Sequence, residues 1–320
     1  MPSSALRRLL LPAATALTAS ALLAGCGSAA SPTANAAGAS PGASAAYPAQ
    51  DVVTAVAEDP KLHAALLAAD PDAANGLVLG TTYQPGLTGL PHVGQDSSGQ
   101  NIGADVDLRN AVGKVLGVSW SVQNGTFATI IPGVQNGKFA VGQDNFGVTA
   151  AREKIVDFAT YLTDGQALLA PSDSTLDKVT DITQLCGRTV GTGAGTTFQT
   201  ILTANAKKCA AAGRTPYTVQ YFSDNAAIWL GLANGRIDVY FGPTLSLEYD
   251  AAHVPNVKFL SQISSTPVGF VTVKGSPLAK LLSEAVNELI ADGEYAKILG
   301  KWSITGNGIA ASAVNPAPNL

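Results

Sequence analysis

From residue 76 onwards, short apolar runs alternate with longer segments of helical pattern, and this alternation is the strongest constraint on the fold. Short apolar runs between turn signals are typical of buried strands. Strands are predicted at residues 76–82, 118–122, 139–141, 188–191, 219–222 and 237–241, and residues 167–171 are predicted to form a strand or a crossover. Helical segments are predicted at residues 107–116, 127–135, 181–185, 193–212, 225–234 and 278–299. Strands that alternate with helices indicate the α/β fold class with a mostly parallel sheet.

The N-terminal 25 residues have the pattern of an export signal. Arg7 and Arg8 precede an Ala/Leu-rich apolar run that ends in Leu-Ala-Gly-Cys at residues 23–26. The run is too short and too rich in alanine for a membrane-spanning helix, so it reads as a signal peptide. Its end resembles the lipobox of bacterial lipoproteins, in which Cys26 is lipidated and becomes the new N-terminus. The alternative is an ordinary cleaved signal with a chance cysteine.

Two further segments are expected before the α/β region. Residues 26–50 are mostly Ala, Ser, Pro and Gly with almost no charge, which predicts a flexible tether. Residues 51–75 are predicted to form an N-terminal helical extension, interrupted at Asp59-Pro60 and Asp70-Pro71. No later apolar run approaches the length that spans a bilayer. We therefore expect an extracytoplasmic protein that is lipid-anchored to the cell membrane and does not cross it.

The net charge bears on the binding partners of the protein, and the number of cysteines bears on a disulfide bond. The net charge is −4, and loss of two arginines with residues 1–25, which contain no acid, takes it to −6. No basic cluster indicates a nucleic-acid partner. Once Cys26 carries lipid, Cys186 and Cys209 remain, and two cysteines in an exported protein are expected to form a disulfide. The alternative is two separate buried thiols.

The residues around Arg152 predict an anion site. Thr149 is a good N-cap, so a short helix is expected from Ala150. Arg152 then lies in the first turn, where the helix dipole disfavours a cation. This placement is explained if the helix N-terminus and the guanidinium bind the same anion. The alternative is a solvated arginine that pairs with Glu153 or Asp157.

No motif for a cofactor or for catalysis is present in the sequence. Residues 191–195 are rich in glycine, but the third glycine of a dinucleotide fingerprint would fall at Thr196, and no lysine follows. His63, His92 and His253 have no Cys or acidic residue at metal-ligand spacing. Neither Gly-x-Ser-x-Gly nor His-Glu-x-x-His occurs. We therefore expect no cofactor and no metal.

Six short motifs follow one another between residues 76 and 302. They are Gly-Ala-Asp-Val-Asp-Leu (103–108), Ile-Pro and Gln-Asn-Gly-Lys-Phe (131–139), Thr-Ala-Ala-Arg and Val-Asp-Phe (149–158), Gly-Thr-Thr (195–197), Leu-Ala-Asn-Gly-Arg-Ile-Asp (232–238) and Asp-Gly-Glu-Tyr-Ala-Lys-Ile-Leu-Gly-Lys-Trp (292–302). In this order they resemble family 3 of the bacterial extracellular solute-binding proteins, the polar amino-acid receptors of ABC importers. Leu-Cys-Gly around Cys186 resembles an actinobacterial branch of that family.

The resemblance implies a two-lobe periplasmic-binding-protein-like fold with two crossovers, which closes on a ligand between the lobes. Lobe 1 would hold residues 76–168 and 268–302, lobe 2 residues 169–267, and residues 303–320 would be a C-terminal tail. The implied function is capture of a polar amino acid or related small carboxylate, delivered to ABC permease subunits by a monomer that does no chemistry. The alternative is an enzyme on the same scaffold, such as a cyclohexadienyl dehydratase-like lyase, which needs an acid in the cleft.

The resemblance also implies which residues bind the ligand. Tyr83 and Phe127 would stack on the ligand, and Arg152 would clamp its α-carboxylate. Thr196 and Thr197, at the start of a helix in lobe 2, would supply backbone and hydroxyl contacts.

Two positions depart from the family pattern. The aspartate that binds the ligand's α-ammonium is replaced by Pro243, and the Ser or Thr two residues before Thr149 is Gly147. Asp144, just upstream, is a candidate for the missing negative charge, and the alternative is that it caps a turn. Asn145, Gly147 and Thr149 complete the candidate site in this loop. Tyr240, Phe241 and Glu248 are further candidates.

Overall fold

The computed structural model describes residues 47–320. The predicted signal peptide (1–25), the predicted lipidation residue Cys26 and all but the last four residues of the predicted tether lie outside the described residues.

The described part of the chain alternates between strands and helices. The strands are β1 (Leu77–Thr82), β2 (Gly94–Gln95), β3 (Asn101–Ile102), β4 (Trp120–Gly125), β5 (Val141–Gly147), β6 (Val156–Pro171), β7 (Thr189–Gly193), β8 (Thr218–Phe222), β9 (Val239–Pro243) and β10 (Val257–Val273). The α-helices are α1 (Pro60–Ala69), α2 (Ala104–Val115), α3 (Phe127–Gln135), α4 (Ala150–Glu153), α5 (Thr197–Asn205), α6 (Lys208–Ala211), α7 (Asn225–Ala233), α8 (Thr244–His253), α9 (Leu278–Ala291) and α10 (Glu294–Lys301). Short 3₁₀ helices lie at Pro71–Asn75, Ile182–Leu185 and Thr305–Asn307.

Eight strands form one mixed sheet in the order β4-β1-β5-β10-β6-β9-β7-β8. At one end β1 is parallel to β4 and β5, and at the other end β7 is parallel to β8 and β9. We call the half built on β1, β4 and β5 lobe 1 and the half built on β7, β8 and β9 lobe 2. The α/β class is therefore confirmed, with parallel strands in each lobe and antiparallel pairs between them.

The two lobes are joined by the long strands β6 and β10. These strands pair antiparallel from Val156–Val273 at one end to Pro171–Val257 at the other. Each lobe has its own apolar core: Leu79 is fully buried in lobe 1, and Val190 is fully buried in lobe 2. The paired strands β6 and β10 therefore form the base of the cleft between the two lobes.

Several predicted elements agree with the structure to within a few residues. The helix predicted at 127–135 coincides with α3, and Thr149 caps α4, accepting a hydrogen bond from the Arg152 amide at 3.2 Å. Other boundaries differ. The helix predicted at 193–212 is divided into α5 and α6, and the strand predicted at 139–141 is only the start of β5.

The two Asp-Pro pairs were predicted to interrupt the helical extension; each begins a helix, and Asp70-Pro71 also ends α1. The Asp59 carboxylate accepts hydrogen bonds from the amides of Lys61 and Leu62 and caps α1. Asp70 caps the following 3₁₀ helix in the same way. Proline is favourable at the first position of a helix because that residue's N–H has no partner within the helix.

Cys186 and Cys209 form a disulfide bond, as predicted. The bond joins the end of the second 3₁₀ helix to α6 in lobe 2. Cys209 is fully buried in the core of that lobe.

The chain after α10 packs against β6. The Thr160 amide donates to the Ala313 carbonyl at 3.0 Å, and the Asn315 side chain bonds to Phe158 and Asp157. Within residues 47–320, no helix combines the length and apolar character that a bilayer span requires.

Candidate functional site

A cavity of about 560 Å³ lies between the lobes. The last residues of five strands line it: Thr82, Gly125, Gly193, Phe222 and Pro243, at the ends of β1, β4, β7, β8 and β9. Ligands of parallel sheets bind at the carboxyl ends of the strands. The cavity is therefore where the topology favours a ligand.

Most residues predicted from the sequence to bind the ligand line this cavity. They are Tyr83, Phe127, Asp144, Asn145, Arg152, Thr196, Thr197 and Pro243, together with the further candidates Tyr240 and Phe241. Gly147 and Thr149 do not line it, but both accept hydrogen bonds from Arg152. Glu248 is not among the lining residues.

Arg152 reaches from lobe 1 into the cleft. Its Nη1 atom donates to the Gly147 carbonyl at 2.8 Å, and its Nη2 atom donates to the Gly195 carbonyl of lobe 2 at 3.0 Å. The guanidinium lies 5.5 Å from the ring centre of Phe127 and 5.7 Å from that of Phe146. Aromatic faces attract a cation, so these rings favour the guanidinium at the cleft.

Arg152 has no acidic partner within residues 47–320. Asp157, a predicted alternative partner, pairs instead with Lys274 at 2.6 Å. Burial lowers the pKa of Arg152 to about 10, so the group still carries its charge at neutral pH. A buried cation without a counter-ion is costly, and an anion in the cavity would remove that cost.

The N-terminus of α5 faces the same cavity from lobe 2. The Thr196 hydroxyl caps the helix, accepting from the Gln199 amide at 3.2 Å and donating to the Gly193 carbonyl at 2.8 Å. Thr197, the first residue of α5, is joined to Gln166 of β6 through its hydroxyl at 3.4 Å. The first amides of a helix have no partner within the helix and carry a partial positive charge.

Two aromatic residues of lobe 1 complete the wall. The Tyr83 side chain follows the end of β1 and is 53% exposed, so it is not part of the core. Phe127 begins α3 and packs on Phe146, with ring centres 4.8 Å apart. Both rings present apolar surface to the cavity.

Asp144 lies within β5 and not in a turn. Its Oδ1 atom accepts from the Thr82 hydroxyl at 2.8 Å. Burial is the main cause that raises the pKa of Asp144 to about 7, and the negative charge of Asp105 raises it further. The Thr82 hydrogen bond and the positive charge of His92 lower it. A carboxyl group that titrates near neutrality therefore faces the cavity.

Asn145 is held in an unusual conformation beside Asp144. Its φ is 52°, in the left-handed region that asparagine tolerates better than most residues. The Nδ2 atom donates to the Asp164 carboxylate at 2.7 Å. The Oδ1 atom is buried and has no hydrogen-bond partner in the described part of the chain.

A buried ionic network behind these residues could not be seen in the sequence. The His92 ring contacts Asp164 through Nε2 at 3.0 Å and Asp105 through Nδ1 at 3.3 Å. Burial lowers the pKa of His92, but the two carboxylates outweigh it and raise the pKa to about 10, so the ring is an imidazolium. Asp105 and Asp164 are 13 and 72 residues away, and no local spacing links them to His92.

A sequence model of the bacterial extracellular solute-binding proteins, family 3, matches residues 88–305. The chain belongs to this family. It is 26% identical over 227 residues to the arginine-binding protein ArgT of Corynebacterium glutamicum, which covers 70% of this chain and 74% of that protein. It is 27% identical over 215 residues to the arginine-binding periplasmic protein of Mannheimia haemolytica, which covers 65% of this chain and 84% of that protein.

Solved structures of amino-acid-binding proteins are similar to this chain in fold. An ancestral arginine-binding protein bound to arginine is 30% identical with a TM-score of 0.63, and the match covers 71% of this chain and 97% of that one. The ancestral amino acid-binding protein AncCDT-1, a precursor of cyclohexadienyl dehydratase, is 28% identical with a TM-score of 0.64. That match covers 73% of this chain and 99% of AncCDT-1.

Proposed function

We propose that this family 3 protein is the ligand-capturing receptor of an ABC importer. It binds a polar amino acid or a related small carboxylate between its lobes and delivers it to the permease subunits. The observation that carries the proposal is Arg152, a half-buried guanidinium that lines the cleft and has no acidic partner in the described residues. A ligand carboxylate supplies the missing charge and accepts hydrogen bonds from the guanidinium.

Contacts across the cleft link binding to lobe closure. Besides the bond between Arg152 and Gly195, the Ser246 hydroxyl of lobe 2 donates to the Gly89 carbonyl of lobe 1 at 3.1 Å. A ligand that contacts both lobes favours the closed arrangement over the open one by its difference in affinity for the two. The closed form is then the signal that the permease recognises, and the protein does no chemistry.

The relatives suggest which ligand to test first. Both curated proteins described above are named as arginine-binding, and one solved relative is bound to arginine. L-Arginine is therefore the first ligand to test, and the other polar L-amino acids follow.

A thermal-shift screen of the full chain, purified in detergent, against the twenty proteinogenic L-amino acids tests the proposal. A ligand present at 100 times its dissociation constant adds about 2.7 kcal/mol to the free energy of unfolding, which is readily seen as a rise in Tm. Agmatine, which is arginine without its carboxylate, is the matched control and should give no shift. If neither an L-amino acid nor a related small carboxylate raises Tm, the receptor proposal is wrong.

The sequence also supports a membrane anchor. We propose that residues 1–25 are removed, that Cys26 is lipidated, and that the segment to residue 50 tethers the two lobes outside the cytoplasm. Cys26→Ala should then move the protein out of the membrane fraction. A variant that stays in the membrane after a carbonate wash would contradict the anchor.

A second candidate function is a lyase on the same scaffold. Two observations favour it: the Asp144 carboxyl in the cleft has a pKa near 7, and one solved relative is a precursor of cyclohexadienyl dehydratase. A group that titrates near the working pH is suited to general acid catalysis. Product formation from prephenate or arogenate by the wild type, abolished in Asp144→Asn, would establish the enzyme and displace the receptor.

A further inference from the structure

The part of the cavity wall at the end of β9 offers no acidic side chain to the ammonium group of an amino acid. Pro243, the last residue of β9, lines the cavity there and carries no charge. A zwitterion whose carboxylate lies on Arg152 would place its ammonium in the same cavity, and an ammonium buried without a counter-charge is strongly disfavoured. The negative charge must therefore come from another wall of the cleft.

Two carboxyl groups line the described cavity, Asp144 and Asp224. Asp224 caps α7 through Oδ1, which accepts from the Ala227 amide at 2.8 Å, and its Oδ2 accepts from the Ser223 hydroxyl at 3.1 Å. Asp144 caps no helix and forms no ion pair within residues 47–320. Asp224 likewise forms no ion pair there, but it is exposed and caps α7, so Asp144 is the acid better placed to receive a cation.

The backbone at Asn145 brings a second acceptor to the same wall. Consecutive side chains of a regular strand point to opposite faces. The positive φ of Asn145 breaks this alternation, and both Asp144 and Asn145 line the cavity. The unpartnered Oδ1 of Asn145 therefore lies next to the Asp144 carboxylate in the chain, and a protonated nitrogen with several N–H groups can donate to both.

The buried network fixes the orientation of the Asn145 amide. Asp164 accepts from the Asn145 Nδ2 atom, and Asp164 is itself held by His92 at 3.0 Å and by the Leu245 amide at 3.2 Å. A carboxylate can only accept, so the amide must present its NH₂ group to Asp164. The oxygen of Asn145 is then left as an acceptor for a donor from elsewhere.

We propose that lobe 1 carries both halves of the ligand site, with Arg152 binding the carboxylate and Asp144, assisted by Asn145, binding a protonated nitrogen of the ligand. The ligand class is a small amino acid with an ammonium or guanidinium group. A small carboxylic acid that carries no positive charge is not expected to bind at this site. The proposal rests on the proposed function of the cleft as an amino-acid site. The exposed ring of Tyr83 adds an aromatic face to the same wall.

Calorimetry on the full chain with three probes tests this assignment. L-Arginine carries both positive groups, 5-guanidinopentanoic acid lacks the α-ammonium, and L-citrulline lacks the side-chain cation. If arginine does not bind the wild type, the amino acid with the largest Tm shift and its deaminated analogue replace these probes. Asp144→Asn should weaken the amino acid at least about tenfold, which corresponds to loss of one charged contact.

The probes identify which nitrogen is bound. If it is the α-ammonium, Asp144→Asn weakens arginine and citrulline but leaves 5-guanidinopentanoic acid unchanged. If it is the guanidinium, the variant weakens arginine and 5-guanidinopentanoic acid but leaves citrulline unchanged. Asp224→Asn is the matched control, since it removes the same charge from the same cleft, and it should leave all affinities within about twofold.

Failure of this inference can be separated from failure of the proposed function. An amino acid that binds Asp144→Asn as tightly as the wild type overturns the cation site but leaves the receptor proposal standing. If neither an amino acid nor a related small carboxylate binds the wild type, both are overturned. If Asp144→Asn does not fold, the wild type alone decides. Equal affinity for the amino acid, for its analogue without the α-ammonium and for its analogue without the side-chain cation also overturns the cation site.

Discussion

The Nη2 atom of Arg152 in lobe 1 donates a hydrogen bond to the carbonyl oxygen of Gly195 in lobe 2 at 3.0 Å. Gly195 has a φ of 76° and immediately precedes Thr196, the cap of α5. The same guanidinium also donates to Gly147 in its own lobe. Arg152 therefore joins the two lobes at the point where the helix N-terminus and the cavity meet.

Loss of the disulfide should destabilise lobe 2 without changing the ligand site. The bond closes a loop with a sequence separation of 23 residues. The double variant Cys186→Ser/Cys209→Ser should lower the free energy of unfolding by about 3 kcal/mol in urea denaturation, because the unfolded chain regains loop entropy. Neither cysteine lines the cavity, so amino-acid affinity should be unchanged. Two free thiols in the unreduced wild type, found by mass spectrometry, would contradict the bond.

Asp250 should make the protein less stable as the pH rises. The residue is 1% exposed, neither carboxyl oxygen has a hydrogen-bond partner in the described structure, and burial raises its pKa to about 9. The folded state then binds a proton that the unfolded state releases between about pH 4 and pH 9. Stability should fall with rising pH across this window.

Asp250→Asn keeps the shape of the side chain and removes its titration. Urea denaturation of the variant at several pH values between 6 and 9 should give a shallower fall in stability than the wild type. Equal slopes for the two proteins would show that Asp250 does not retain a proton in the folded state.

Amino-acid affinity should rise with pH if Asp144 binds the cation. Its pKa of about 7 in the ligand-free protein is raised first by burial, so the carboxylate becomes fully available only above that pH. Affinity should increase about tenfold from pH 6 to pH 8 in calorimetry. The charged and titratable groups that face Asp144 are Asp105, His92 and Tyr161. His92 has a pKa of about 10 and stays protonated across this pH range, and burial keeps Tyr161 neutral.

Rising pH has the opposite effect on the stability of the ligand-free protein. Because the folded pKa of Asp144 lies above the unfolded value of 3.8, the folded state binds more protons, and stability falls as the pH rises from about 4 to about 7. Asp144→Asn should abolish the rise in affinity and should make the fall in stability between about pH 4 and pH 7 shallower, while the contribution of Asp250 remains. An affinity that rises equally with pH in the variant would assign the effect to another group.

Local signals explain which elements the sequence could predict. Helix α3 is bounded by the Thr126 capping box and by Asn136-Gly137, so all the information lies within the segment. The disulfide followed from export and from the number of cysteines. Arg152 and its capped helix were likewise readable, because the cap and the side chain are three residues apart.

Contacts distant in sequence explain what was missed. Residues 261–266 of β10 are mostly polar and do not read as a strand, yet they are ordered by pairing with β6. His92 looked isolated because its partners come from α2 and from β6. The hydrogen bond between Asp144 and Thr82 spans 62 residues, and only the parallel pairing around β1 brings them together.

Calorimetric titration of Arg152→Ala with the amino acid that binds the wild type tests the central claim most directly. Loss of the guanidinium should weaken binding by about 2–5 kcal/mol, because the ligand carboxylate would be buried without its partner. Arg188→Ala is the matched control: its guanidinium bonds to Thr175 outside the cavity, and affinity should not change. The account predicts a large loss in Arg152→Ala alone, with the fold intact by circular dichroism, and near wild-type affinity in that variant would contradict it.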